Sequence, residues 1–141
     1  MQTIIAHLHY SDMTLKGIHH IAIIVSDYTR SKEFYTQLLG LEILKEVYRK
    51  ERDSFKLDLA IGNHYVIELF SFPNYVPRPS YPEALGLRHL AFAVDSIEQW
   101  IDKLQNNDIP VEPIRVDEYS GKKFTFFQDP DGLPLELYEY Q

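Results

Sequence analysis

The chain has 141 residues, 45% of them hydrophobic, and a formal net charge of −7, which is length for a real core and a composition unlike that of disordered chains. The acidic balance excludes nonspecific nucleic-acid binding, which needs a basic surface, and the absence of cysteine excludes disulfides, thiolate metal sites and thiol catalysis. No apolar run approaches the roughly 18 residues needed to span a bilayer, so the expectation is a cytoplasmic protein with no membrane partner.

The first dozen residues, MQTIIAHLHYSD, lack a basic start, a long apolar segment and a cleavage site. Residues 1–14 read as a flexible leader, His7 and His9 receive no function, and Met13 stands as an alternative start. Residues 15–141 are expected to form one domain. Within it, GIHHIAIIV at 17–25 reads as a strand by its β-branched content. Ser26 or Asp27 can cap a helix over 29–39, with Phe34, Leu38 and Leu41 on its apolar side and Gly40 as its stop. Strands follow at 42–49, 54–61 and 64–72, the last two joined by Gly62-Asn63. Residues 73–86, with Pro73, Pro77, Pro79 and Pro82, form an extended connector. A strand at 87–94 then leads to Asp95 or Ser96 as a cap. A helix follows at 97–106 with Ile97, Trp100, Ile101 and Leu104 on one face. Strands at 110–117, 122–128 and 134–140 complete the chain, with Asp129-Pro130-Asp131-Gly132 as a turn. The order βαβββ therefore occurs twice, over about 15–72 and about 87–141.

The two halves repeat a chemical device as well. His20 stands in the first strand, and His89 stands in RHLAFAV of the second half. Ile67-Glu68-Leu69-Phe70 places Glu68 48 residues after His20, and Leu135-Glu136-Leu137-Tyr138 places Glu136 47 residues after His89. Strand alternation puts His20 with Ile18, Ala22 and Ile24, Glu68 with Val66, Phe70 and Phe72, and Glu136 with Tyr138. The opposite faces are apolar, as a helix-covered sheet requires. A carboxylate inside an apolar strand costs on the order of several kcal/mol unless something compensates it, and two would repel. A divalent cation removes both objections. Imidazole with carboxylate suits Zn²⁺, Ni²⁺, Co²⁺, Mn²⁺ or Fe²⁺. His19 has Arg88 as its counterpart and reads as a support for its neighbour or for the fold. His64 reads as exposed beside a turn, and Lys122-Lys123 as a solvated strand edge. Asp129 and Asp131 read as turn residues, since the other acids of a calcium loop are missing.

On these residues the stretch from about Leu15 to Tyr140 resembles the vicinal oxygen chelate superfamily, whose proteins pair βαβββ modules around a divalent metal. The set His20, Glu68, His89 and Glu136 is similar to that of glyoxalase I. The stretches YVIELFSFP, GLRHLAF and KFTFFQDPDGLPLELYE resemble the small bacterial YaeR-type branch. The resemblance implies an α+β fold of two cup-shaped mixed sheets with helices outside, those four residues as metal ligands, Zn²⁺ or Ni²⁺ as cofactor, and a homodimer.

It also implies a lyase or isomerase of glyoxalase type, stabilising an enediolate of a small substrate with vicinal oxygens. Glu68 and Glu136 would move the proton, and Arg52, Phe72, Arg115 and Lys123 are the expected substrate contacts. Bacterial glutathione-dependent members carry an Arg where this chain has Ile24 and an Asn where it has Phe72, so lactoylglutathione is not the expected substrate. The alternatives on the same scaffold are an epimerase, a thiol transferase, a dioxygenase or a small-molecule binding protein.

Overall fold

The structure is a computed structural model that describes residues 13–140. Most of the expected leader, with His7 and His9, lies outside the described residues.

In the first half, β1 (Ile21–Val25) runs to Asp27, whose side chain accepts the Arg30 N–H at 3.0 Å and caps α1 (Tyr28–Glu33). The helix continues into a wider π-helical turn over Phe34–Leu38 and stops at Gly40, which takes a positive φ of 80°. Then come β2 (Glu42–Arg49), a short 3₁₀ turn (Lys50–Arg52), β3 (Ser54–Ile61) and β4 (His64–Ser71). They form a sheet ordered β1-β4-β3-β2, in which β1 and β4 are parallel and the other pairs antiparallel.

The second half repeats this. Ser96 caps α2 (Ile97–Gln105) behind β5 (Leu90–Val94). Next come β6 (Arg115–Val116), β7 (Lys123–Gln128) and β8 (Pro134–Glu139), in a sheet ordered β5-β8-β7-β6. The fold is thus two βαβββ modules, each a four-stranded mixed sheet with one helical segment. Three strands are shorter than the sequence suggests. The strand expected over 110–117 shrinks to two residues, because Pro110 and Pro113 offer no N–H to a ladder. β1 and β5 begin at Ile21 and Leu90, so His20 and His89 stand immediately before their strands. No helix or strand occurs between Ser71 and Leu90.

Alternation then sorts each sheet into two faces. Ile23, Val25, Leu57, Leu59, Ile67 and Leu69 are buried on the helix side of the first, as are Phe127, Leu135 and Leu137 on that of the second. These residues join one contiguous core with Tyr35, Ile97 and Leu104. The other, open faces carry Ala22, Ile24, Lys56, Asp58, Glu68 and Phe70 in one module, and Ala91, Ala93, Phe124, Phe126, Glu136 and Tyr138 in the other.

A polar clasp joins the modules. The hydroxyl of fully buried Tyr35 donates to Asp129 Oδ2 at 2.8 Å, while the N–H groups of Asp131 and Leu133 donate to Asp129 Oδ1 at 2.9 Å. Burial raises the Asp129 carboxyl, and burial with the Asp129 charge raises the Tyr35 hydroxyl well above its ordinary value. Beside them Ser26 donates its N–H to Asp131 Oδ2 at 3.0 Å and its hydroxyl to Asp131 Oδ1. The Asp129–Gly132 segment is the expected turn, and it also holds the two halves together.

Candidate metal centre

In the first module, parallel pairing of β1 with β4 sets Ala22 beside Glu68, which brings the preceding His20 over the same carboxylate. His20 Nε2 lies 3.9 Å from Glu68 Oε2. Its ring stacks on Tyr65 at 4.9 Å and 9°, and its Nδ1 is 2.8 Å from His19 Nδ1. The imidazole is therefore held at its face and at its far nitrogen, leaving Nε2 toward the carboxylate.

Glu68 is held just as closely. The Tyr65 hydroxyl lies 2.6 Å from Glu68 Oε2 and 2.9 Å from Asp58 Oδ1. Lys56 Nζ lies 2.6 Å from Asp58 and 3.1 Å from Glu68. Burial alone would raise the Glu68 carboxyl, but the hydrogen bonds from Tyr65 and Lys56 outweigh it and hold the group below the ordinary carboxylate range. The same balance, with Lys56 leading, lowers Asp58. Glu68 is thus a fixed anion.

The second module has the same pair with a different setting. His89 Nε2 is 2.9 Å from Glu136 Oε2, and the His89 ring meets Phe126 edge-on at 5.1 Å. Glu136 is 9% exposed, lies opposite Phe126 across the β7–β8 ladder, and has no other polar partner among the described residues. Among the described residues no amine or hydroxyl takes the place of Lys56 or Tyr65.

Each pair presents one imidazole nitrogen and one carboxylate oxygen with a spacing close to the roughly 3–3.5 Å between two ligands each ~2.1 Å from one ion. The donor set fits a divalent transition metal. Two donors are nonetheless half a site, and no cluster of three or more His, Cys, Asp or Glu able to hold an ion forms among the described residues. The structure brings His20 to Glu68 and His89 to Glu136; it does not bring the two pairs together within the chain.

The expected substrate contacts fall in different places. Phe72 stacks with Phe70 at 5.7 Å on the open face of the first sheet. Arg115 lies over Phe124 and Phe126, 5.1 Å from each ring, and is paired with Glu112 at 2.7 Å. Lys123 is turned to the helix side, where it meets Glu98 of α2 at 2.6 Å, because it alternates with Phe124. Arg52 is exposed in the turn between β2 and β3. A cleft of about 1080 Å³ between α1 and β7 has His89, Arg115 and Phe126 on its wall, but none of Glu136, His20 and Glu68. The groups that sequence reasoning missed are Lys56, Asp58, Tyr65 and Arg49.

The sequence pattern of the glyoxalase/bleomycin resistance protein/dioxygenase superfamily matches residues 17–137. The chain belongs to that superfamily. Within the superfamily it is 60% identical over 125 residues to the uncharacterised protein YaeR of Escherichia coli, covering 89% of this chain and 97% of the other. It is 58% identical over 127 residues to the uncharacterised YwkD of Bacillus subtilis, covering 90% and 99%. A glyoxalase family protein from Enterococcus faecalis has the same fold, with a TM-score of 0.82 at 53% identity, covering 90% of this chain and all of that one. Many members of the superfamily are enzymes, and its members commonly bind divalent metals.

Proposed function

We propose that the chain is a metal-dependent enzyme of glyoxalase type whose centre is completed by a second copy, His20 and Glu68 of one chain meeting His89 and Glu136 of the other. The observation that carries this reading is the geometry of two well-formed donor pairs held on separate sheets of one chain. A divalent ion held there, Zn²⁺ or Ni²⁺ by donor type, would supply Lewis acidity to two vicinal oxygens of a small substrate.

The chain's own residues divide the remaining work. Glu68, fixed by Tyr65 and Lys56, is the permanent anionic ligand. Glu136, with only His89 against it, is the carboxylate free to move: one of its Oε atoms takes a proton from a substrate carbon and returns it to the adjacent one. Phe124, Phe126, Phe70 and Ile24 line the open faces and exclude water from that transfer. Ile24, 56% exposed on such a face, offers no charge to a peptide carboxylate. This supports a substrate other than lactoylglutathione.

Complementation tests the reading. His20→Ala and Glu136→Ala homodimers should each lose their bound metal. After the two are mixed and allowed to exchange subunits, heterodimers carry one doubly damaged and one intact centre. Metal binding should therefore return to about one ion per heterodimer. No recovery on mixing, with wild type binding one metal per chain, would place the site within a single chain instead. A wild type that binds no Zn²⁺ or Ni²⁺ would remove the enzyme reading.

A further inference from the structure

Two cations on the open faces are already neutralised: Lys56 by Asp58 and Glu68, and Arg115 by Glu112. Arg49, the last residue of β2, is different. Its guanidinium carbon sits 4.7 Å from the centroid of Phe70 and 5.7 Å from that of Phe72, and the two rings stack beneath it at 20°. Its Nη2 donates to Ser54 Oγ at 2.6 Å. Its Nε is out of contact with solvent and has no hydrogen-bond partner. No carboxylate of the described residues lies within 4.0 Å of it.

A guanidinium has five N–H donors in a planar fork, and a protein that hides one without an acceptor sacrifices hydrogen-bond energy. If Arg49 served only to cover the two rings, a Lys or Met stem would do so without an orphaned donor. The stack instead fixes the plane of the fork, which is the arrangement that suits bidentate binding of a carboxylate or phosphate. Phe70 follows Glu68 on the same face two residues along β4, so the fork resting on Phe70 shares the open face with the ligand pair and lies further along it. Ile24, the partner of Phe70 on β1, continues the apolar surface on the side of Phe70 away from β2.

We propose that Arg49, laid on the Phe70–Phe72 pair, binds an anionic group, carboxylate or phosphate, of the substrate that the metal centre takes. The inference rests on the reading of the site given above and narrows its substrate to small organic anions.

The test uses the full-length, metal-loaded protein, titrated with inorganic phosphate and separately with propionate at constant ionic strength. The arginine Nε–Hε resonances are followed by ¹H–¹⁵N spectroscopy. Arg49→Lys identifies the Arg49 signal by its loss. That signal should shift saturably with at least one of the two anions, and the anion that saturates it at lower concentration identifies the acid class. Arg49→Met, which keeps the apolar stem, should weaken binding of that anion, read from neighbouring backbone amides, at least about tenfold, with Arg49→Lys between the two. Metal content is read on the same samples and should be equal in all three proteins. An Arg49 resonance unmoved by either anion overturns the proposal, and needs no variant to be stable. Equal affinity in wild type and Arg49→Met would mean an adventitious ion only, and overturns it too. Saturable binding at Arg49 in a protein that takes up no metal would leave the anion site standing and remove the metal reading. Metal uptake with an inert Arg49 would do the reverse.

Discussion

Tyr65 holds Glu68 through a 2.6 Å contact from its hydroxyl, and among the described residues no hydroxyl or amine does the same for Glu136, although the two glutamates occupy matching places in the repeat. A duplicated template has thus produced one tethered carboxylate and one untethered. Unequal surroundings are what allow two carboxylates to take different roles.

Removing that hydroxyl tests the tether. In Tyr65→Phe the ring still stacks on His20, but Glu68 and Asp58 share only Lys56. Metal affinity should fall roughly 10-fold or more, the usual cost of losing a group that orients a ligand. Competition with a chromogenic chelator measures it. Unchanged affinity would mean that Lys56 alone fixes the carboxylate.

Lys56→Met tests the charge balance, through pH. Glu68 and Asp58 are both held below the ordinary carboxylate range. A depressed carboxyl contributes stability that is present above its unfolded-state pKa of about 4 and is lost as pH falls through the lower folded value. The variant should therefore be less stable than wild type at pH 7, by about 1 kcal/mol or more, and the gap should shrink as pH falls below about 4 toward the lower folded values. Urea unfolding at pH 7 and at pH 3 checks this. A gap that persists undiminished at pH 3 would assign the loss to packing.

Tyr35→Phe probes the clasp. The variant leaves Asp129 Oδ2 without its donor in a buried place, at a cost of about 1–3 kcal/mol. The Asp129 carboxyl is raised by burial, so its ionised form is the disfavoured one and its stability contribution falls as pH rises through the folded value. The missing donor matters most to the charged form. The deficit should accordingly be larger at pH 7 than at pH 4 in denaturant titrations, and a deficit independent of pH would contradict the assignment.

Much of this arrangement was legible from side-chain periodicity. The β2, β3 and β4 boundaries fall within a residue of the expected ones, since β-branched runs and Gly62-Asn63 are local signals. Asp27 and Ser96 are among the four caps the sequence offered. The pairing of His20 with Glu68 follows from alternation plus the repeat. What escaped is non-local. Asp58 and Lys56 look like ordinary solvent-facing residues of an alternating strand until register sets Asp58 across from Glu68. Counting in twos from Glu68 turns Tyr65 away from it. The ladder, however, passes from Leu59–Ile67 to Ala60–Tyr65, skipping Val66, and that bulge rotates the tyrosine onto the ligand face. Arg49 belongs to a different strand from the rings it covers, and no spacing rule links them. Lys123, expected as a substrate contact, shows the opposite case: alternation with Phe124 already turns it toward Glu98 of α2.

The placing of one donor pair on each sheet has a consequence for populations of chains. On the proposed sharing of centres between two copies, a copy damaged in one half would not be silent in cells expressing two versions of the protein, because it would spoil one of the two centres of every dimer it formed with a healthy chain. Its other half would still complete the remaining centre. Inheritance of such damage would look partially dominant, and two copies broken in opposite halves would rescue each other only in each other's company.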